Sequence, residues 1–164
     1  MSNPYNIDKK GKGYYFTTDS NVSYFAYFEV YDYYFSNYPL ISHYIYTFNF
    51  EVESLNENKR RPKDTNGRVR DTISTLLEAF FQDNEKALII ICDSADGKHK
   101  GRKMIFDDWF NTNAGNLHLE KRDGYNASNG MEVYSSLILN RNHLFKDDLV
   151  EAYEQVRTEL FKTE

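Results

Sequence analysis

The chain has 164 residues, a length close to that of one globular domain. Its 14 Tyr and 12 Phe favour a folded, β-rich protein and exclude an intrinsically disordered one. No apolar run approaches the roughly 20 residues that cross a bilayer, and the polar start has no signal-peptide core. We therefore expect a cytoplasmic protein without membrane contact, in which the single cysteine, Cys92, forms no internal disulfide.

The cations are unevenly distributed along a chain whose net charge is −5. Residues 59–70 carry five net positive charges and residues 98–103 carry four, so the remainder carries fourteen net negative charges. We name these two stretches the first and second basic segments. Such clusters attract anionic ligands, and their cations are the predicted ligand-binding residues: Arg60, Arg61, Arg68, Arg70, Lys98, Lys100, Arg102 and Lys103.

The first half of the chain predicts a sheet. After a polar tail over residues 1–10, runs of aromatic and β-branched residues occupy residues 14–18, 22–35 and 41–53. The turns between these runs are too short for a crossover, which predicts an antiparallel meander. The aromatic run over residues 22–35 has two interpretations, a platform for stacking nucleic-acid bases and ordinary core packing, and packing is the favoured one.

The second half predicts alternating helices and strands. A polar loop leads into a helix with apolar residues at helical spacing from Val69 to Phe81. Residues 87–92 are consecutively apolar, which is typical of a central strand buried on both faces. A short helix that ends at residues 113–116 follows the second basic segment. The remaining elements are a hairpin with a loose loop over residues 123–130 and a final helix.

The resulting order, β-β-β-α-β-α-β-β-α, predicts a single α+β domain over residues 1–164. We expect a mixed, mostly antiparallel sheet of five or six strands with helices packed on it. The order resembles the ribonuclease H-like topology with one added hairpin strand. That topology implies that the strand ending at Asp93 runs parallel to the first and third strands. Both basic segments then meet at one sheet edge, around Asp93 and Asp96.

The same resemblance implies a metal-dependent alternative. Ribonuclease H-like nucleases hold two metal ions with carboxylates from the first strand, the first helix, the fourth strand and the last helix. Asp93 stands at the fourth-strand position, Asp71 or Glu78 could serve from the first helix, and Asp147 or Asp148 from the last helix. The first predicted strand, residues 14–18, has no carboxylate, so the resemblance covers element order only.

Other catalytic motifs are absent from the sequence. The four histidines show no metal-ligand spacing, and no phosphate-binding loop or serine nucleophile motif occurs, so no cofactor is expected. Several residues together resemble an uncharacterised bacterial family of domains of unknown function, which implies no activity. They are residues 71–73, residues 91–93, Asp96, Arg102, Phe106 and residues 109–110.

These patterns favour a binding protein over an enzyme. The predicted function is an accessory or regulatory protein whose basic edge engages nucleic acid or an acidic partner. The enzymatic alternative is a phosphodiesterase or nuclease that holds Mg²⁺ or Mn²⁺ with Asp93 and Asp96, together with Asp71 or Glu78. A structural alternative is that the cations pair within the chain, for example Arg102 with Asp93.

Overall fold

The computed structural model describes residues 2–54, 66–95 and 97–160. None of the helices in these ranges combines the length and the apolar character that spanning a membrane requires. Two short 3-10 helices, Asp32–Phe35 and Ser42–Tyr44, accompany the main elements. In chain order, those are β1 (Asp8–Lys10), β2 (Gly13–Thr17), β3 (Ser23–Val30), β4 (Ile45–Ser54), α1 (Arg68–Phe80), β5 (Ala87–Asp93), α2 (His99–Leu117), β6 (Leu119–Ser128), β7 (Met131–Asn140) and α3 (Lys146–Leu160).

The strands form one mixed sheet in the order β1-β2-β3-β4-β5-β7-β6. β5 pairs in parallel with β4 and antiparallel with β7, so the predicted central strand is an interior strand. Its residues 87–90 are at most 4% exposed, as a strand covered on both faces requires. The α+β class and the predicted element order are confirmed. The described sheet has seven strands, more than the five or six expected.

Two compact units divide the chain, one of Met1–Glu29 and Phe48–Phe80 and the other of Val30–Thr47 and Phe81–Glu164. We call them the amino-terminal and carboxy-terminal units. In the amino-terminal unit, α1 buries the face that its spacing predicts. Its last residue, Phe80, stacks on Phe28 of β3 with 4.6 Å between ring centroids. The core of the carboxy-terminal unit joins strands to α3 through Ile45, Ala87, Ile89, Leu137, Leu139, Leu149, Ala152, Tyr153 and Val156.

The first residues are packed, which corrects the predicted polar tail over residues 1–10. Tyr5 is 8% exposed, and its N–H donates to the buried Oγ1 of Thr72 at 2.8 Å. Asp8–Lys10 forms β1 and pairs antiparallel with β2. This strand has three exposed polar residues, so no alternation of apolar and polar positions marks it in the sequence.

Two element boundaries in the carboxy-terminal unit also differ from the prediction. α2 continues through residues 113–116 to Leu117. His118 follows as its cap, with a left-handed φ of 53° and its N–H donating to the carbonyl of Ala114. The loose loop predicted over residues 123–130 is a two-residue turn. Asn129 and Gly130 have φ values of 50° and 79°, the positive values that a tight type I′ hairpin turn needs.

Candidate functional site

The second basic segment surrounds the start of α2. After β5, the carboxylate of Asp93 accepts the N–H of Ala95 at 3.0 Å, and the chain turns through Gly97, whose φ is +73°. α2 then begins at His99. Lys98 and Lys100 are exposed on either side of that residue. The sequence therefore concentrates lysine ammonium groups within the first turn of one helix.

Arg102 and Lys103 are the other two cations of this segment. Arg102 donates to the carbonyl oxygen of Asp93 at 3.0 Å, so it bonds to the backbone of the residue that was predicted as its ion-pair partner. Lys103 pairs with Asp107 at 2.5 Å, and this hydrogen bond is the main cause that raises the pKa of Lys103. The predicted internal pairing thus accounts for Lys103.

Asp107 joins α2 to β6. It also accepts a hydrogen bond from Lys121 at 2.5 Å. Partial burial alone would raise the pKa of Asp107, but the hydrogen bonds from Lys103 and Lys121 outweigh it and hold the pKa below its ordinary value. A carboxylate between two ammonium groups fixes the helix against the strand, because each contact satisfies a charge that is partly removed from water.

The N-terminus of α2 differs in charge from those of α1 and α3. It has no acidic residue in its first turn and no side-chain cap. In contrast, α1 has Asp71 and α3 has Asp147 and Asp148 in the first turn. The first N–H groups of a helix have no intrahelical partner and carry a partial positive charge. Lysines at this position add to that charge, and no acidic side chain in the first turn of α2 offsets it.

A histidine that the sequence did not single out anchors this turn. His99 is 8% exposed, and its Nε2 lies 2.7 Å from Oε2 of Glu132 on β7. Tyr125 donates to the other oxygen of that carboxylate at 3.2 Å. The hydrogen bond from His99 is the main cause that lowers the pKa of Glu132. The only sequence signal for this role was the position of His99 between two lysines at a helix start.

The ring of His99 is also packed on an aromatic residue. It stacks on Tyr134 with 5.7 Å between centroids, and its Nδ1 is buried without a hydrogen-bond partner in the described part of the chain. These contacts fix the direction in which α2 leaves the sheet. One turn beyond Lys100, Met104 and Ile105 are 65% and 46% exposed. The start of α2 therefore combines exposed cations with exposed apolar side chains.

The first basic segment contributes a structural arginine. Arg60 and Arg61 lie outside the described residues. Arg68 donates to the carbonyl of Asn3 at 3.0 Å and pairs with Asp19 at 3.3 Å, while its guanidinium lies 3.9 Å from the ring centroid of Tyr5. Arg68 thus ties the first residues to α1. Ligand binding by this segment, including Arg70, and its convergence with the second segment stay predictions.

The carboxylates predicted for a metal site have hydrogen-bond partners of their own. Asp71 accepts the N–H of Asn3 at 2.9 Å, and Glu78 accepts the hydroxyl of Ser74 at 3.1 Å. Asp96 lies outside the described residues. Across residues 2–54, 66–95 and 97–160, no three Asp, Glu, His or Cys residues come together in a way that could hold a metal ion. The Mg²⁺ or Mn²⁺ alternative stays a prediction without an added observation.

A family model described as a family of unknown function, DUF6169, matches residues 65–155, more than half of the chain. The chain belongs to this family. The resemblance to a family of unknown function, predicted from residues such as Asp93 and Arg102, is confirmed. The DUF6169 match contains α1, β5, α2, β6 and β7, and so includes the whole second basic segment. The bacterial origin and the ribonuclease H-like topology stay predictions.

No curated protein matches this DUF6169 chain. A solved structure, "The structure of a CoA-dependent acyl-homoserine lactone synthase, MesI", matches it with 12% sequence identity and a TM-score of 0.39. That match covers 100% of this chain and 78% of the other. At this identity and TM-score, the similarity carries no argument about activity.

Proposed function

We propose that this DUF6169 protein is an accessory or regulatory binding protein that engages an acidic protein surface through the start of α2. The observation that carries the proposal is the exposed pair Lys98 and Lys100 at a helix N-terminus without a cap or an acidic residue. Helix N–H groups and lysine ammonium groups both attract carboxylates. Anchoring of this turn by His99 reduces the ordering cost of binding.

Two exposed apolar residues favour a protein over a nucleic acid as the partner. Met104 lies four residues after Lys100, and Ile105 follows it. Protein interfaces combine apolar anchors with a polar rim, whereas nucleic-acid binding depends mainly on contacts between cations and phosphates.

An intracellular, cytoplasmic setting is part of the same proposal. The single cysteine, Cys92, is a buried free thiol. Burial raises the pKa of Cys92 and leaves the thiol unreactive. Free thiols are common in proteins of reducing compartments, where structural disulfides are rare.

The test uses two labelled twelve-residue peptides, one alternating glutamate with leucine and one alternating glutamate with serine. Fluorescence anisotropy at low and high salt measures their binding to wild type and to Lys98→Glu/Lys100→Glu. We expect tighter binding of the leucine peptide, weaker binding at high salt, and at least a roughly tenfold loss in the variant. Lys9→Glu/Lys12→Glu is the matched control, since it makes the same charge change at two other exposed lysines.

Single-stranded and double-stranded DNA of similar length form a second arm of the experiment. DNA binding tighter than that of both peptides, and lost in Lys98→Glu/Lys100→Glu, would replace the acidic protein with nucleic acid as the partner. Peptide binding that the variant leaves unchanged, or that the control reduces equally, would remove the start of α2 as the site.

A further inference from the structure

The sheet of the amino-terminal unit has two different faces. On one face, Phe48 and Phe50 of β4 contact Phe28 and Tyr24 of β3, and Phe80 of α1 packs there as well. Side chains alternate between the two faces of a strand, so the intervening residues point away from α1. We call this opposite side the acidic aromatic face. Its chemistry-bearing residues are Asp8, Lys10, Tyr15, Phe25, Tyr27, Glu29, Glu51 and Glu53.

Three rings form a continuous stripe across this face. Tyr15 stacks on Phe25 with 4.7 Å between centroids, and Phe25 lies 5.0 Å from Tyr27. All three remain partly exposed. Gly13 makes the stripe possible, because a Cβ atom at that position would lie 1.9 Å from the ring of Phe25. The glycine therefore lets an aromatic ring lie flat over the backbone of β2.

Carboxylates surround the stripe. Asp8, Glu29, Glu51 and Glu53 are exposed, and Lys10 is the one cation among the described residues of this face, which gives it three net negative charges. The pKa of Tyr27 is raised, first by burial and then by the nearby carboxylates of Glu51 and Glu29. Among the described residues, no ion pair neutralises these four carboxylates.

An open pocket of about 630 Å³ lies at one end of the stripe. Its lining includes the ring of Tyr15 and five charged side chains, three carboxylates and two cations: Asp8, Asp19, Glu53, Lys10 and Arg68. Arg68 and Asp19, which both line the pocket, form an ion pair with each other. The carboxylates of Asp8 and Glu53 are thus placed beside an aromatic ring, an arrangement that suits an ammonium or guanidinium group.

We propose that the acidic aromatic face binds an extended basic peptide, with one lysine or arginine side chain entering this pocket. Lysine and arginine have an aliphatic stem that packs on apolar rings and a charged end that pairs with carboxylates. Cations also bind the faces of aromatic rings. The stripe supplies the rings and its borders supply the opposite charge, so the face complements both parts of these side chains. Lys10 already places its ammonium 5.7 Å from the ring centroid of Tyr15.

The test measures binding of a labelled twelve-residue peptide that alternates lysine with serine, with a glutamine–serine peptide as the neutral reference. Glu29→Gln/Glu51→Gln/Glu53→Gln removes three carboxylates of the face and keeps their size. We expect this variant to bind the lysine peptide at least about tenfold more weakly. The matched control is Asp108→Asn/Glu151→Gln/Glu159→Gln, which removes three exposed carboxylates of α2 and α3. We expect it to bind like wild type.

A separate variant tests the rings at constant charge. Tyr27→Ser should weaken binding of the lysine–serine peptide about three- to tenfold. Circular dichroism of the variant shows whether the sheet is retained. Equal losses in the face variant and its control would overturn the proposal, because binding would then follow net charge alone. A dimer that only Glu29→Gln/Glu51→Gln/Glu53→Gln dissociates would also overturn it, since the occupant would then be a second copy of the chain.

Discussion

The start of α2 and the acidic aromatic face carry opposite charges that are assembled in different ways. At the start of α2, Lys98 and Lys100 lie only two positions apart in the sequence, one at the N-cap and one in the first turn. On the acidic aromatic face, the carboxylates come from β1, β3 and β4, at positions as far apart as Asp8 and Glu53. A charged segment is therefore visible in a sequence, whereas a charged face of a sheet becomes visible only when the strand register is known.

The two regions also differ in their relation to the family. The DUF6169 match over residues 65–155 includes the start of α2, but it includes none of β1–β4. The start of α2 can therefore be compared with other members of DUF6169, whereas the match gives no basis for such a comparison of the acidic aromatic face. Three variants should change the unfolding free energy at one region or the other, from the largest expected effect to the smallest.

Gly13→Ala should break the aromatic stripe. The added Cβ overlaps the ring of Phe25, which has to leave its stacked position. Overpacking of this kind costs about 1–3 kcal/mol, and we expect about 2 kcal/mol less unfolding free energy in urea titrations. Gly101→Ala is the control in α2, where a Cβ has open space, and it should be neutral or stabilising. Equal stability of Gly13→Ala and wild type would show that Phe25 does not depend on this glycine.

Asp107→Asn should remove a pH-dependent anchor of α2. The pKa of Asp107 is lowered in the folded protein, so its contribution is present above the ordinary value of 3.8 and is lost as pH falls through the folded pKa. The side chains involved are partly exposed, and we expect about 1 kcal/mol at pH 7. The difference in urea stability between wild type and variant should therefore shrink as pH falls below 3.8 and vanish once Asp107 is protonated in the folded protein. Asp108→Asn, at the exposed neighbouring residue, is the control. If the difference in unfolding free energy between wild type and Asp107→Asn did not change with pH, the charge of Asp107 would not anchor α2.

Lys98→Glu/Lys100→Glu should stabilise the chain while it weakens acidic-peptide binding. Cations at a helix N-terminus oppose the helix dipole, and carboxylates there favour it. We expect a gain of about 0.5–1 kcal/mol in unfolding free energy. A loss of stability in thermal or urea unfolding would instead mean that the lysines make structural contacts that outweigh the dipole.

The sequence predicts the parts of the fold that have an apolar pattern. The apolar run of β5 and the helical spacing of α1 identify both elements. β1 lacks such a pattern because all three of its residues are exposed. The length of α2 was underestimated because only His99 and Trp109 of its 19 residues are buried, so little periodicity marks its second half.

The candidate site divides in the same way. The lysines of the second basic segment follow directly from the sequence, whereas the contact between His99 and Glu132 joins residues 33 positions apart and depends on the pairing of β5 with β7. The tight turn at Asn129 and Gly130 had a sequence signal, since Asn-Gly between two strands favours a type I′ hairpin. The prediction of a loose loop over residues 123–130 did not take this Asn-Gly signal into account.

The central claim is that two surfaces of opposite charge bind separate ligands. One titration series tests it: the glutamate–leucine and lysine–serine peptides are each measured against Lys98→Glu/Lys100→Glu and Glu29→Gln/Glu51→Gln/Glu53→Gln. We predict that Lys98→Glu/Lys100→Glu lowers the affinity for the glutamate–leucine peptide only. Glu29→Gln/Glu51→Gln/Glu53→Gln should lower the affinity for the lysine–serine peptide only, and each loss should be about tenfold or more. If both variants change the binding of both peptides in proportion to net charge, the two surfaces are not distinct sites and the account is wrong.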